Sequence, residues 1–380
     1  MPPLVYLKKC EDYSLARLTG VIEEGFKELG GIENFINKGD TVLIKPNCLS
    51  YAPPEAAIST HPEFIRAVIR VIKPLAGKII VGDSPGYGSF LGTAARNGMK
   101  KVCDEEGAEI IEFKPDTRAD VAGGQLLYGN FMIDSRVMKA DKIINLPKLK
   151  THMLMYMTMS VKNMFGLISG LKKLEYHAKA EKDKYLFAKM LVDLFRVKQP
   201  AINILDGIRA MQGNGPGTDG EPFDMGLVAM SSDGFALDAA AARAVGVDPY
   251  RIYTNYVYKE FINNGRDIEF TVKGDAIKDV FHKIKTPPGE PKGSAFRLLI
   301  NFVRDHGTPK PVFNVKLCTG CKICVTHCPV NALKYTGAEK GVVCDYKKCI
   351  RCYCCHEMCP DNAIKTSRPL ISCFIEKFRF

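Results

Sequence analysis

Eight cysteines lie between positions 318 and 359 in two identical runs: Cys318, Cys321, Cys324 and Cys328 before Pro329, then Cys349, Cys352, Cys355 and Cys359 before Pro360. Each run reads C-x-x-C-x-x-C-x-x-x-C-P. Cysteine thiolates hold the irons of [4Fe-4S] cubes, and a tight loop with cysteines at every third position can wrap three irons of one cube. Zinc ribbons use paired C-x-x-C motifs rather than four-cysteine runs. A disulfide framework needs an oxidising compartment, for which no targeting signal is visible.

The spacing resembles that of bacterial two-cluster ferredoxins, in which the fourth thiolate of each run serves the other cluster. The resemblance implies two [4Fe-4S] clusters with crossed ligand sets. Cys318, Cys321, Cys324 and Cys359 would hold the first, and Cys349, Cys352, Cys355 and Cys328 the second. The repeat extends past the ligands, since Cys328-Pro329-Val330-Asn331-Ala332-Leu333-Lys334 recurs 31 residues later as Cys359-Pro360-Asp361-Asn362-Ala363-Ile364-Lys365. Duplication at constant offset predicts a pseudo-two-fold module of two β-hairpins and two short helices. Each proline suits the start of a short helix, because its φ is fixed and it has no N–H to leave unpaired. Of the other six cysteines (Cys10, Cys48, Cys103, Cys344, Cys354, Cys373), Cys344 falls on Phe313 and Cys354 on Ile323 when shifted by the repeat. Both read as small apolar fillers.

The 380 residues are 46% hydrophobic and 25% charged, an ordinary globular composition with room for two or three domains. No charged n-region precedes an apolar stretch at the N-terminus, and no apolar run reaches the length of a membrane span. The chain is therefore expected to be cytoplasmic. The formal charge of +11 falls to roughly +7 if two clusters with about −2 each are bound. That balance suits an acidic redox partner protein or an anionic substrate. Nucleic acid is not an expected partner, because no binding motif with stacking aromatics accompanies the charge.

The elements that would carry such a module alternate between strand and helix over the first 280 residues, which predicts an α/β fold: a mostly parallel sheet flanked by helices, with a small C-terminal α+β ferredoxin-like domain. The expected division is an α/β domain over 1–285, a linker and bridging helix over 286–310, the cluster domain over 311–372 and a tail over 373–380. Strands are read at 5–7, 41–44, 78–81, 109–113, 142–145 and 201–205. Helices are read at 15–29, from His61 to Ile72 with Thr60 as cap, near 91–106, at 182–196 and at 235–245. Alternation of Met153, Met155, Met157 and Met159 with other residues suggests one strand face, and 212–222, with four glycines and two prolines, reads as a long loop. A helix over 295–303 would bridge to the cluster domain.

Polar residues gather just past several of these strands, where open α/β sheets bind ligands. Lys45-Pro46-Asn47, Thr60-His61-Pro62, Gly82-Asp83-Ser84-Pro85-Gly86, the run from Asn145 to His152, Lys162-Asn163 with Phe165-Gly166, and Asp206-Gly207 together resemble the family called domain of unknown function 362, over roughly residues 3 to 275. The resemblance implies an anaerobe-associated iron–sulfur protein and fixes no substrate. From the residues, the expected pocket takes Lys45, Asn47, Gly82, Asp83, Ser84, Gly86, Lys150 and Asn163 for binding a small anionic substrate or an additional cofactor. Asp83, Lys148, His152, Lys162 and Asp206 are the catalytic candidates. Two functions follow from this reading: an oxidoreductase passing electrons to a ligand in the pocket, or a non-enzymatic electron carrier or assembly factor whose large domain binds a protein.

Overall fold

The computed structural model describes residues 1–86, 88–170, 172–180, 183–287 and 309–367. The expected bridging helix at 295–303, most of the linker, Cys373 and the tail from 374 lie outside the described residues.

A ten-stranded sheet forms the body. Its strands are β1 (Leu4–Lys9), β2 (Thr41–Pro46), β3 (Lys78–Asp83), β4 (Glu109–Glu112), β7 (Lys142–Leu146), β8 (Lys148–His152), β9 (Tyr156–Thr158), β10 (Ile202–Gly213), β11 (Gly220–Ser231) and β12 (Thr271–Gly274). A separate hairpin pairs β5 (Thr117–Asp120) with β6 (Asn130–Ile133). The order is β12-β1-β11-β10-β7-β2-β3-β4, with β8 beside β10 and β9 beside β8. From β10 through β7, β2 and β3 to β4 all neighbours are parallel, whereas β11 runs antiparallel to both β1 and β10.

Alternating side chains supply two cores, one on each face. On β2, Val42 and Ile44 join the layer under helices Leu15–Glu28 and Pro62–Ile72, while Leu43 faces the opposite layer, which holds helices Lys184–Val197 and Gly234–Ala244.

Several local expectations change. His61 itself caps Pro62–Ile72, its Nδ1 accepting from Glu63 N at 3.2 Å. Thr60 instead donates to Leu146 O (2.7 Å) and accepts from Asn47 N (2.9 Å), tying down the loop after β2. The helix read near 91–106 is two, Phe90–Asn97 and Met99–Glu106, broken where Gly98 takes φ 89°. Only Met157 of the methionine series lies in a strand, because the chain turns between β8 and β9, yet all four are buried in the core. The long loop at 212–222 is the end of a hairpin: β10 runs to Gly213 and β11 starts at Gly220. Its glycines and prolines serve the tip.

In the C-terminal module, β13 (Pro311–Phe313) pairs with β16 (Ile364–Thr366), and β14 (Leu333–Tyr335) with β15 (Val342–Cys344). Under the 31-residue offset β13 corresponds to β15 and β14 to β16. Each strand pair therefore joins one strand from each half, so only β14–β15 is a hairpin. Short helices Ile323–Thr326 and Cys354–Glu357 repeat at the same offset, as do the left-handed residues Lys322 and Tyr353, and Asn331 and Asn362.

Candidate functional site

At the carboxyl edge of β2, β3 and β8, under the cluster module, lies a cleft of about 660 Å³, open solvent at its mouth included. Asn47, Cys48, Asp83, Ser84 and Gly86 come from the ends of β2 and β3, and His152 and Thr158 from β8 and β9. Lys162, Asn163, Phe165 and Gly166 follow β9, while Lys173 and His177 lie one helical turn apart on helix Lys172–Ala180. The roof is Cys354, Glu357 and Met358, in and just after the short helix of the second cysteine run.

The wall is held rigidly. Asp83 accepts from Lys45 Nζ and from Cys48 N, each at 2.7 Å. Gly166 packs on this pair so tightly that an added Cβ would lie 1.9 Å from Asp83 Oδ1. Helix Ser160–Asn163, which carries Lys162, is fixed by Asp238, whose carboxylate accepts from Ser160 N (2.7 Å) and Val161 N (3.2 Å) and whose pKa burial raises to about 7.

A line of buried amides crosses the sheet behind the cleft. Lys150 Nζ donates to Asn47 Oδ1 (2.8 Å), Asn47 to Asn163 (2.9 Å), Asn163 to Asn145 (2.7 Å), Asn145 to Asn203 (2.8 Å), and Asn203 to Ser231 O (3.2 Å).

Strand β8 distributes its side chains along one face, since alternate residues advance by about 6.6 Å. Lys148 sits deepest. Its Nζ lies 2.7 Å from Asp206 Oδ2, and Asp206 also accepts from Tyr13 Oη (2.8 Å) and His61 N (2.9 Å). Lys150 reaches Asn47 and Ile58 O (2.5 Å), and only His152 enters the cleft. Of the sequence candidates, then, Asn47, Asp83, Ser84, Gly86, His152, Lys162 and Asn163 line the cleft. Lys45 and Lys150 stand behind it, while Lys148, Asp206 and Gly82 lie outside its lining.

Lysines without an ion-pair partner among the described residues gather at this space. Lys173 donates to the carbonyls of Ser84 and Pro85, and Lys150 to an amide and a carbonyl; among the described residues Lys162 has no hydrogen-bond or ion-pair partner. Burial lowers the Lys150 pKa to about 7, helped by Lys162, and the Lys173 pKa to about 8. Burial likewise lowers Lys162, against the pull of Glu357. His177 is pushed down to about 3 by burial, then by Lys162 and Lys173, so it is neutral. His152 is also neutral: burial and neighbouring lysines lower it, and its Nδ1 accepts from Leu154 N and Met155 N. Its Nε2 lies 3.5 Å from Glu357 Oε1. Burial raises the Glu357 carboxyl, with Lys162, Lys150 and Lys173 opposing. The Thr158 hydroxyl, fully buried on the cleft wall, has no partner among the described residues.

Lys173, His177 and Glu357 were missed from sequence, and Phe165 was read only as part of the family resemblance. The i, i+4 spacing of Lys173 and His177 was the available signal, while Glu357 is brought in only by docking of the module. That docking uses the β10–β11 tip: Thr218 Oγ1 donates to Asn362 (2.7 Å), and Asp219 meets Lys365 at 3.1 Å.

The module gathers its thiols into two neighbourhoods. Cys328, Cys349, Cys352 and Cys355 line one pocket of about 330 Å³, open solvent at its mouth included. The thiols acting on Cys324 are Cys359, Cys321 and Cys318. Backbone N–H groups of Ala332 and Ala363 donate to Cys328 Sγ (3.2 Å) and Cys359 Sγ (3.3 Å) at equivalent positions, the kind of N–H···S bond that tunes cluster potentials.

An α/β sheet with a cationic cleft at its carboxyl edge, roofed by a duplicated cysteine module, defines an α/β iron–sulfur protein. The chain belongs to the family described as domain of unknown function (DUF362), whose model matches residues 42–243; a 4Fe-4S binding domain matches 311–334. A thylakoid-associated protein of Synechocystis sp. is 38% identical over 250 residues, 66% of this chain and 77% of that protein. Among solved structures, the lactate racemase apoprotein from Thermoanaerobacterium thermosaccharolyticum is 13% identical with a TM-score of 0.40, over 61% of this chain and 54% of that one. A protein from Thermotoga maritima is 8% identical with a TM-score of 0.37, over 67% and 60%. The chain thus spans little more than half of those two structures. Among the described residues no helix is long and apolar enough to cross a membrane.

Proposed function

We propose that this protein holds two [4Fe-4S] clusters and passes single electrons between them and a small anionic ligand bound in the cleft. The observation that carries this reading is the pairing of an anion-seeking space with the cluster module: Lys162 and Lys173, which line the cleft, and Lys150 behind it meet no carboxylate in an ion pair among the described residues, and the roof above them is the second cysteine run. The expected ligand sets are the crossed ones, Cys318, Cys321, Cys324 and Cys359, and Cys349, Cys352, Cys355 and Cys328. When bound, the clusters supply one-electron chemistry at potentials set by burial and hydrogen bonds to sulfur.

The chain's own residues bind and orient. Lys162 and Lys173 attract the anionic group, with charge-assisted hydrogen bonds about twice as strong as neutral ones. Thr158 adds a hydroxyl, and neutral His152, whose Nδ1 accepts backbone N–H bonds, carries its proton on Nε2 and presents it to the ligand as a hydrogen-bond donor. Phe165 and Met358 exclude water. We place the protein in the cytoplasm; the association with thylakoids that the cyanobacterial relative's name states would then, for this chain, mean peripheral contact, which salt-washing of membranes tests.

Anaerobic reconstitution should give about eight irons per chain and two reducible centres by spin resonance. Reduced protein should then be reoxidised by one fraction of a small-molecule extract, and Lys162→Met should abolish that response. Zinc in place of iron, or no responsive fraction, overturns the reading.

A further inference from the structure

The two cysteine runs are equal in spacing and unequal in surroundings. In the second run Ile350, Arg351, Tyr353, Cys354, His356 and Met358 are all buried, and Tyr353 belongs to the main core. None of their counterparts 31 residues earlier is buried: Thr319 and Lys322 are exposed, and Gly320, Ile323, Val325 and His327 are half-buried. Thr319, Cys321 and Lys322 are exposed where Ile350, Cys352 and Tyr353 are buried or half-buried. Solvent-facing apolar side chains surround this first loop: Val312 (46% exposed), Val315 (37%) and Leu317 (47%); Val343 and Tyr346, the counterparts of the first two, are exposed as well, so Leu317, which answers to Lys348, is the apolar addition peculiar to the first loop. Val315 lies over Gly341, where an added Cβ would come within 3.4 Å of it.

Charge is one-sided here as well. Lys316, Lys322, Lys334, Lys340, Lys347 and Lys348 are exposed on the module, against only Glu339 and Asp345 among its exposed carboxylates in the described residues. An apolar centre with a cationic rim is the complement of an acidic protein surface, and such complementarity raises encounter rates and selects partners.

The geometry points to the face around Cys321, Val315 and Leu317 as the docking surface for an acidic one-electron carrier protein, with the second run committed to the cleft. This rests on the electron-transfer reading above and adds to it a fixed polarity: exchange with the outside at the first run, exchange with the ligand at the second. One electron crosses per encounter, the carrier being oxidised as this protein is reduced or the reverse, and no bond is made or broken.

The test uses anaerobically reconstituted holoprotein, checked for iron and spin-resonance signals, with a reduced acidic flavodoxin as probe. Stopped-flow transfer should slow steeply with added salt, and Lys316→Glu with Lys322→Glu should slow it about tenfold or more. Lys101→Glu, an exposed control on helix Met99–Glu106, should leave it unchanged. Carbodiimide should cross-link flavodoxin carboxylates to Lys316 or Lys322. Salt-independent transfer, equal slowing by the control, or cross-links confined to residues 1–285 overturn the proposal. So would a second copy or anionic vesicles occupying the face, read as self-association or co-sedimentation lost in the double variant. Missing clusters would count against the electron-transfer reading instead, because the cross-linking arm reads contact alone and still decides the docking.

Discussion

Five lysines are gathered at the carboxyl edge of this sheet, and the fold treats them in two opposite ways. Lys45 and Lys148 are fully buried, each 2.7 Å from one carboxylate, Asp83 or Asp206, whose other oxygen is also occupied. Lys150, Lys162 and Lys173 are drawn in beside them without a carboxylate in ion-pair contact among the described residues. Burial alone therefore does not mark a binding lysine. A closed pair satisfies itself and stiffens the strand ends, whereas an open cation retains an unmet interaction that a ligand can satisfy.

The comparison breaks most readily at the closed pairs. Asp206→Ala strands the Lys148 charge and removes the acceptor of Tyr13 and His61, so chemical denaturation should show a loss of about 3–5 kcal/mol; a loss under about 1 kcal/mol would mean the pair is not scaffold. Next, Gly166→Ala drives a methyl into Asp83 and should cost about 1–3 kcal/mol in the same measurement while leaving iron content intact. On the open side, Lys162→Met should leave stability within about 1 kcal/mol of the parent or raise it. Titration calorimetry with inorganic phosphate and short carboxylates should then show at least about tenfold weaker binding.

The smallest effect is on pH. Lys150 at about 7 and Lys173 at about 8 lose their protons well below free lysine. Affinity for an anion should thus fall between about pH 6 and about pH 9. Stability without ligand should move oppositely. Unfolded lysines keep their protons to about 10.4, so above about 7 the folded chain binds fewer protons and stability rises with pH until about 10. Parallel calorimetry and melting curves across that range check both signs.

How much of this was legible depended on how local each signal was. Ligand cysteines announce themselves because one loop must wrap one cube, and the β-branched runs of β2, β3 and β7 mark buried parallel strands. The strand-end rule located Asn47, Asp83, Ser84, His152, Lys162 and Asn163 at one edge. It could not separate Lys148 from Lys150, because their partners, Asp206 and Asn47, arrive from other strands. Glu357 was invisible for the same reason, being supplied by a module more than 150 residues away in sequence from Lys162. The methionine series misled because period two continues through a turn as easily as through a strand.

The row of asparagines has one further consequence. While protonated, Lys150 can only give a hydrogen, and the Ser231 carbonyl can only take one, so the sense of every link between them is then dictated from both ends. No single carboxamide can rotate without its neighbours. The oxygens of Asn47 and Asn163 are thereby committed within the row and withheld as acceptors from a guest molecule in the cleft.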